Sequence, residues 1–159
     1  MEINVLIDEG LEGLLEEKWM QRIAEQALVA ENSGTGIELG LVVTSQERVQ
    51  QLNQSYLGRN EPTDVIAFSM LSDAQQTGAG VPPFITPPDG VTHLGEVIIS
   101  YHQAVIQAAE QNHPVKREIA TLIVHGVLHL LGYRDDNPEL KHRMSARETE
   151  ILAGMGELE

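Results

Sequence analysis

The sequence has no cysteine, few basic residues and no long apolar run, and each absence excludes a class of protein. Without cysteine there is no disulfide framework and no zinc site built on thiolates. No stretch approaches the ~20 consecutive apolar residues that a membrane-spanning helix needs. The N-terminal stretch MEINVLIDEG is acidic and its apolar part is short, so we expect no secretory signal there. These features favour a protein of the reducing cytoplasm.

Basic residues number only 10, against 24 aspartates and glutamates, which gives a net charge of −14. Such a chain is not expected to bind nucleic acids nonspecifically, because binding to phosphates requires cations. Six of the ten basic residues lie between residues 114 and 147, where the net charge is +2, while the rest of the chain carries −16. This segment is either a solvated helix face of mixed charge or a cationic patch that admits a polyanion at one site.

The length of 159 residues suits a single domain, 1–159, with a hydrophobic core. Strands followed by a helical C-terminal half predict an α+β fold, with one mixed four-stranded sheet packed against about five helices. Residues 71–92 are rich in proline and glycine, which predicts a long mobile loop between two antiparallel strands. The predicted strands span residues 3–10, 36–45, 64–70 and 93–100, and the predicted helices span 11–31, 46–56, 101–112, 115–131 and 138–155.

Two histidines, His125 and His129, lie four residues apart in the stretch HGVLHLLGYRDD. Residues at this spacing share one face of a helix, and a buried imidazole is costly unless its nitrogens have partners. One zinc ion at ~2.0–2.1 Å from each nitrogen satisfies both imidazoles. Gly132 can adopt the left-handed conformation that ends a helix, and the returning chain then brings Asp135 to face the metal. The pattern predicts a metal site on a buried central helix.

The residue after the first histidine separates this site from that of the zinc peptidases. In the peptidase pattern H-E-x-x-H, the glutamate is the general base, and Gly126 stands in its place here. Gly126 instead lets a chain or a substrate approach the helix closely. A zinc peptidase is therefore disfavoured, whereas metal-assisted chemistry on another substrate and a structural metal both stay open.

HGVLHLLGYRDD resembles the signature H-G-x-L-H-L-x-G-Y-D-H of the YbeY family of bacterial metal-dependent endoribonucleases. LNQSYLGRNEPTDVIAF resembles the family motif around P-T-D-V, LGEVIIS is similar to its L-G-D-[IV]-x-I-S strand, and RMSARETEILAGMG resembles its closing helix. The resemblance implies an α+β fold with one Zn²⁺ ion held by three histidines. It also implies cleavage of single-stranded RNA, maturation of the small-subunit ribosomal RNA at its 3′ end, and ribosome quality control. The implied partners are a small-subunit ribosomal protein and the GTPase Era.

Carried over to this chain, the resemblance makes His125 and His129 the first two ligands and places Asp135 where the family has its third histidine. Carboxylate oxygen is a good zinc donor at ~2.0–2.2 Å, so we expect Asp135 to be the third ligand. The alternative is a weakened or structural metal site in a ribosome-assembly factor that cleaves little RNA. Asp136 or His142 could supply a ligand instead, although neither occupies the family position.

The resemblance further implies an arginine that contacts the scissile phosphate, for which Arg59 is the nearest candidate; otherwise Arg59 is a surface residue of a turn. Asp64 is expected to orient a ligand or Arg59, or to cap the turn. Glu96 is expected either to support the site or to face solvent. The sequence does not choose between water and an RNA 2′-hydroxyl as the nucleophile. The residues predicted to contact the RNA backbone are Arg134, Lys141, Arg143 and Arg147.

Overall fold

A computed structural model shows the fold of the chain. Buried and exposed residues alternate along the strands, and buried residues recur about every 3.6 residues along the helices. The structure describes residues 2–8, 10, 11, 13, 15–31, 36–57, 63–69, 92–134 and 137–155. The elements in these residues are β1 (Glu2–Ile7), α1 (Glu17–Ala30), β2 (Ile37–Thr44), α2 (Gln46–Leu57), β3 (Val65–Ser69), β4 (Thr92–Ser100), α3 (Tyr101–Glu110), α4 (Val115–Leu130) and α5 (Pro138–Ala153).

The four strands form one sheet in the order β1-β2-β4-β3. β2 pairs in parallel with both β1 and β4, whereas β3 pairs antiparallel with β4. Gly95 in β4 has a φ of +136°, and a Cβ added there would lie 2.0 Å from the carbonyl oxygen of Phe68, so only glycine lets β3 approach so closely. The predicted α+β class, with a mixed four-stranded sheet and five helices, is confirmed.

Helix α4 is the central element of the helical layer on one face of the sheet. It contacts α1, α3 and α5 as well as β3 and β4, and Ile119, Ile123 and Leu128 are fully buried. Burying each such side chain contributes roughly 1.5–3 kcal/mol relative to leaving it exposed. Helix α2 covers part of the opposite face, where Val49 packs with apolar residues of β3 and β4. The prediction that 115–131 is a buried central helix is confirmed.

Gly126 brings α4 into close contact with the sheet. A Cβ at this position would lie 2.5 Å from Cγ1 of Val97 in β4. Any larger side chain would therefore push the helix away from the strand or force Val97 to move. The close approach expected at Gly126 is made by the chain itself.

The N-terminal elements are shorter than predicted. Helix α1 begins at Glu17 and not at residue 11, because Gly10 and Gly13 adopt φ values of +92° and +89°, which a right-handed helix does not contain. Strand β1 ends at Ile7, and the next residue, Asp8, accepts a hydrogen bond from the Thr44 hydroxyl instead of continuing the strand.

The predicted loop lies almost wholly outside the described residues, since only its last residue, Thr92, is described, as the first residue of β4. Its two flanking strands, β3 and β4, pair antiparallel as expected. None of the described helices combines the length and hydrophobicity required to cross a lipid bilayer.

Candidate metal centre

His125 and His129 project from the same face of α4 and meet edge to face. Their ring centroids are 4.6 Å apart and the rings are inclined by 78°. The Nε2 atoms of the two rings lie 3.1 Å apart. The spacing of four residues therefore brings one nitrogen of each imidazole close together. The two histidines share one face of the helix, as the sequence predicted.

The turn after α4 holds the ring of His129. Gly132 has a φ of +106°, and the Tyr133 amide donates to the Leu128 carbonyl (3.0 Å) while the Gly132 amide donates to the His129 carbonyl (3.1 Å). These two bonds form the Schellman turn that satisfies carbonyls at a helix C-terminus. The turn brings the carbonyl oxygen of Tyr133 to 3.1 Å from Nδ1 of His129, so Gly132 both ends the helix and helps to orient the imidazole ring.

Helix α5 holds the ring of His125. Its first turn is capped by Asn137, whose Oδ1 accepts from the Leu140 amide at 2.8 Å. The helix then packs on the core through Met144 and Ile151. This packing brings Oε1 of Glu148 to 2.6 Å from Nδ1 of His125. The side chains are only 28% and 14% exposed for His125 and Glu148, respectively, so solvent screens this contact little.

The partners of the two Nδ1 atoms decide what the Nε2 atoms can do. A carboxylate and a backbone carbonyl only accept hydrogen bonds, so both neutral rings carry their proton on Nδ1. Each Nε2 atom of His125 and His129 then presents a lone pair, and the two lone pairs face each other across 3.1 Å. Two facing lone pairs repel each other, and either a proton or a metal cation between the nitrogens relieves that repulsion.

A zinc ion fits this pair of nitrogens. With Zn–N distances of ~2.0–2.1 Å, nitrogens at this separation subtend an angle of roughly 100° at the metal, close to the tetrahedral value of about 109°. An acceptor on the remote nitrogen is also the usual arrangement around a metal-ligating histidine, because it fixes the tautomer and raises the basicity of the ligand. His125 and His129 thus have the donor atoms, the orientation and the supporting contacts of two zinc ligands.

The predicted third ligand, Asp135, and its neighbour Asp136 lie outside the described residues. Within the described ranges, no group of three histidine, aspartate or glutamate side chains is placed to hold a metal ion. His142 therefore does not complete the pair; it is exposed on α5.

Arg147 has a different environment from the one predicted for an RNA-binding residue. Its Nε donates to Oε2 of Glu31 at 2.5 Å, its Nη2 to the Ala30 carbonyl at 2.7 Å, and its Nη1 to Oε2 of Glu150 at 2.8 Å. These contacts occupy the guanidinium and tie α5 to the C-terminal end of α1. The prediction that Arg147 contacts RNA stays a prediction, but in the fold its guanidinium pairs with groups of the protein itself.

Tyr133 completes a small cluster with Glu31 and Arg147, which we name the Arg147 clamp. The pKa of the Tyr133 hydroxyl is raised above its ordinary value, first by burial and then by its hydrogen bond to the Glu31 carboxylate. The hydroxyl of Tyr133 therefore lies beside the Glu31 carboxylate and the Arg147 guanidinium, and both groups influence its pKa.

The other predicted cations differ in how they are placed. Arg143 donates to Glu139 at 2.7 Å in an exposed pair on α5, with side chains 68% and 75% exposed. Arg134, next to the histidine turn, and Lys141, in the first half of α5, are both exposed. Arg59 lies outside the described residues.

The two predicted supporting acids occupy different places. The carboxylate of Asp64 accepts a hydrogen bond from Nε2 of Gln107 at 3.1 Å, which joins the start of β3 to α3; a role toward Arg59 stays a prediction. Glu96 is exposed and lies in β4 next to Val97, whose side chain contacts Gly126. Because neighbouring residues of a strand face opposite sides, Glu96 points away from α4. Of the two expected positions it has the solvent-facing one.

Sequence reasoning missed Glu148 and Glu31. A signal for the first existed, because a ligating histidine requires an acceptor at its other nitrogen. The last helix, however, contains several glutamates, and only the packing of α5 on α4 selects one of them.

Comparison with known proteins places the chain in a family. The family model described as Endoribonuclease YbeY matches residues 10–156. The chain belongs to the endoribonuclease YbeY family. A curated Endoribonuclease YbeY of Dehalococcoides mccartyi is 46% identical over 133 residues, which are 84% of this chain and 83% of that protein. Its counterpart in Chloroflexus aurantiacus is 37% identical over 155 residues, 97% of this chain and 95% of the relative.

A solved structure shares the fold. The solution structure of TM1509 from Thermotoga maritima superimposes with a TM-score of 0.57, covering 95% of this chain and 89% of the other, at 20% sequence identity. The family model and the curated relatives confirm the YbeY family membership suggested by the histidine motif, and the solved structure confirms the fold alone.

Proposed function

We propose that this chain is a zinc-dependent endoribonuclease that cleaves single-stranded RNA, and that its substrate is ribosomal RNA, at the 3′ end of the small-subunit species. The observation that carries the proposal is the convergence of two Nε2 atoms whose rings are both fixed through Nδ1. Membership in the endoribonuclease YbeY family supports the reaction class. The proposal extends to a role in ribosome quality control.

The residues that would hold the zinc ion are His125, His129 and Asp135. A zinc ion bound there would supply Lewis-acid stabilisation of the phosphate and a water of lowered pKa. The contribution of the chain is to hold the two imidazoles in one tautomer. Glu148 and the Tyr133 carbonyl do so without binding the metal themselves.

The charges around the site favour a substrate that binds at one edge of an acidic protein. Arg134 follows the histidine turn directly, and Lys141 lies on the same face of α5 as Glu148, about two turns or roughly 10 Å away along the helix axis. We propose that these two exposed cations guide the phosphate backbone of the RNA, with Arg59 at the scissile phosphate. So few cations predict a weak dependence of binding on salt, because each phosphate contact releases about one counterion.

The proposed partners follow from the same function. An rRNA-processing enzyme with a net charge of −14 would need a protein contact to reach its substrate against electrostatic repulsion. We propose a small-subunit ribosomal protein and the GTPase Era as such contacts, and the cytoplasm as the site of action.

The test is cleavage of a labelled single-stranded RNA by the full chain, before and after chelation and with zinc restored. We expect cleavage that stops with the chelator, returns with zinc, and disappears in His129→Ala. The matched control is His113→Ala, which removes a histidine at the other end of α4 and should leave cleavage unchanged. No cleavage with zinc supplied would contradict the proposal and favour an assembly factor that does not cut RNA.

A further inference from the structure

The Arg147 clamp spans parts of the chain that are distant in sequence. Arg147 on α5 and Glu31 at the end of α1 are 116 residues apart. Their side chains are 28% and 12% exposed, so this pair is far less solvated than the Arg143 pair on the same helix. A planar guanidinium that donates to several fixed acceptors holds its partners in one geometry.

The clamp also binds a backbone group at the C-terminal end of α1. The Ala30 carbonyl, which accepts from Arg147, is one of the last carbonyls of α1 and has no partner within the helix. A cation at this position also interacts favourably with the negative end of the helix dipole. Helix α5 is therefore fixed both to a carboxylate and to the end of another helix.

Both acceptors of the histidine pair are part of the clamp or adjacent to it. The Tyr133 hydroxyl lies beside Glu31 and Arg147, and its backbone carbonyl lies 3.1 Å from Nδ1 of His129. Glu148, the residue after Arg147, gives its carboxylate to Nδ1 of His125. One cluster of side chains thus lies next to the two groups that set the direction of both Nε2 lone pairs.

We propose that the Arg147 clamp is the positioning device of the metal centre: it fixes the Tyr133 carbonyl and the Glu148 carboxylate together, and through them both imidazoles. Arg147 and Glu31 act through other residues and do not touch the metal or the RNA. The inference rests on the proposed metal binding and adds residues outside the ligand set. Its consequence is that a change at the end of α1 alters the affinity of the site for zinc.

The test compares Arg147→Ala with Arg143→Ala in the full chain. Both variants remove an arginine from α5 that pairs with glutamate, but only the first opens the clamp. The zinc dissociation constant is measured by competition with a chromophoric chelator. Loss of an outer contact to a ligand typically weakens metal binding 10–100-fold, and we expect about 10-fold for Arg147→Ala and no change for Arg143→Ala. Arg147→Lys should restore only part of the affinity, because lysine lacks the planar fork.

A second readout uses no metal. Nitrogen NMR of the histidine rings in the metal-free chain should show the Nδ1–H tautomer for His125 and His129, and a mixture of tautomers in Arg147→Ala. If Arg147→Ala does not fold, Glu31→Gln and Tyr133→Phe open the same cluster with smaller changes and should shift both readouts in the same direction.

A purely structural role would lower the free energy of unfolding in Arg147→Ala and leave the zinc affinity and the ring tautomers as they are. That result would overturn the inference. If the unaltered chain binds no zinc, the proposed function fails, but the tautomers still decide the role of the clamp. Unchanged tautomers in the clamp variants would then overturn it, and shifted ones would support it.

Discussion

Two histidine–glutamate pairs lie at opposite ends of α4, and they differ in the nitrogen that is bonded. At the N-terminal end, Nε2 of His113 lies 2.8 Å from Oε1 of Glu118. Toward the C-terminal end, Nδ1 of His125 lies 2.6 Å from Oε1 of Glu148. Both pairs are partly buried, so burial and the presence of a carboxylate do not distinguish them.

The difference lies in which ring nitrogen the glutamate contacts and in what the other side of the ring faces. The Glu118 carboxylate contacts Nε2 of His113, which is five residues away in sequence. This pair connects the first turns of α4 to the turn that precedes the helix. The Glu148 carboxylate comes from another helix and leaves Nε2 of His125 facing a second imidazole. The same two residue types therefore give a structural contact at one end of the helix and two converging nitrogens, the proposed metal donors, at the other.

A turn of the same kind lies near each pair. Helix α3 ends in a Schellman arrangement in which the His113 amide donates to the Ala108 carbonyl at 3.1 Å, with Asn112 at a φ of 56°. Helix α4 ends with Gly132 in the corresponding place. The first turn places the side chain of His113 next to Glu118, whereas the second places the backbone carbonyl of Tyr133 next to His129. A Schellman turn by itself therefore does not create a candidate metal site.

The largest expected effect comes from removing one donor of the pair. His125→Ala or His129→Ala should weaken zinc binding by more than about 100-fold, beyond the range typical of outer contacts. His113→Ala should leave the zinc affinity unchanged and instead lower the free energy of unfolding by about 1–3 kcal/mol, since the buried Glu118 carboxylate loses its partner. Zinc titration and denaturant unfolding of the three variants measure both quantities. Equal loss of zinc affinity at His113 would remove the distinction between the two ends of α4.

A smaller effect is expected from the two glutamates. Glu148→Gln removes the charge that supports His125 and should weaken zinc binding about 10–100-fold. Glu118→Gln makes the same chemical change at the other pair and should not alter zinc binding. Competition titrations of the two variants under one set of conditions provide the comparison. A zinc affinity in Glu148→Gln equal to that of the unaltered chain would show that the carboxylate does not support a ligand.

The smallest effect is expected from the turns. An alanine at positive φ costs roughly 1–2 kcal/mol, so Gly132→Ala and Asn112→Ala should both lower the free energy of unfolding. Only Gly132→Ala should also reduce the zinc affinity, because only that turn carries the Tyr133 carbonyl. Denaturant unfolding with and without zinc separates the two expectations. A reduction of zinc affinity in both variants would point to a general loss of stability as the cause.

Much of the fold was predictable because local patterns agree with it. The apolar run of α4, the cap at Ser100, whose hydroxyl accepts from the Gln103 amide, and the glycine that ends α4 all lie in short stretches of sequence. The beginning of α1 was not predictable from periodicity. The apolar residues before Glu17 fit the helical repeat, but Gly10 and Gly13 take left-handed conformations there.

The site was predictable only as far as α4 itself. The spacing of His125 and His129 fixes their common face, which is a property of one helix. The roles of Glu148 and Arg147 depend on how α5 packs against α4 and α1, and no local pattern specifies this packing. Arg147 was predicted to bind RNA because its positive charge suits phosphate. In the fold it pairs with the carboxylate of Glu31, which is 116 residues away in sequence.

X-ray absorption at the zinc edge tests the central claim most directly, with the full chain loaded with one equivalent of zinc. We predict at least two imidazole nitrogens at ~2.0–2.1 Å from the metal, and a carboxylate oxygen at ~2.0–2.2 Å if Asp135 is the third ligand. The imidazole signal should disappear in the His125→Ala, His129→Ala double variant and persist in His113→Ala. A zinc environment of oxygens alone, or an imidazole signal that survives the double variant, would contradict the assignment of His125 and His129 as the metal ligands.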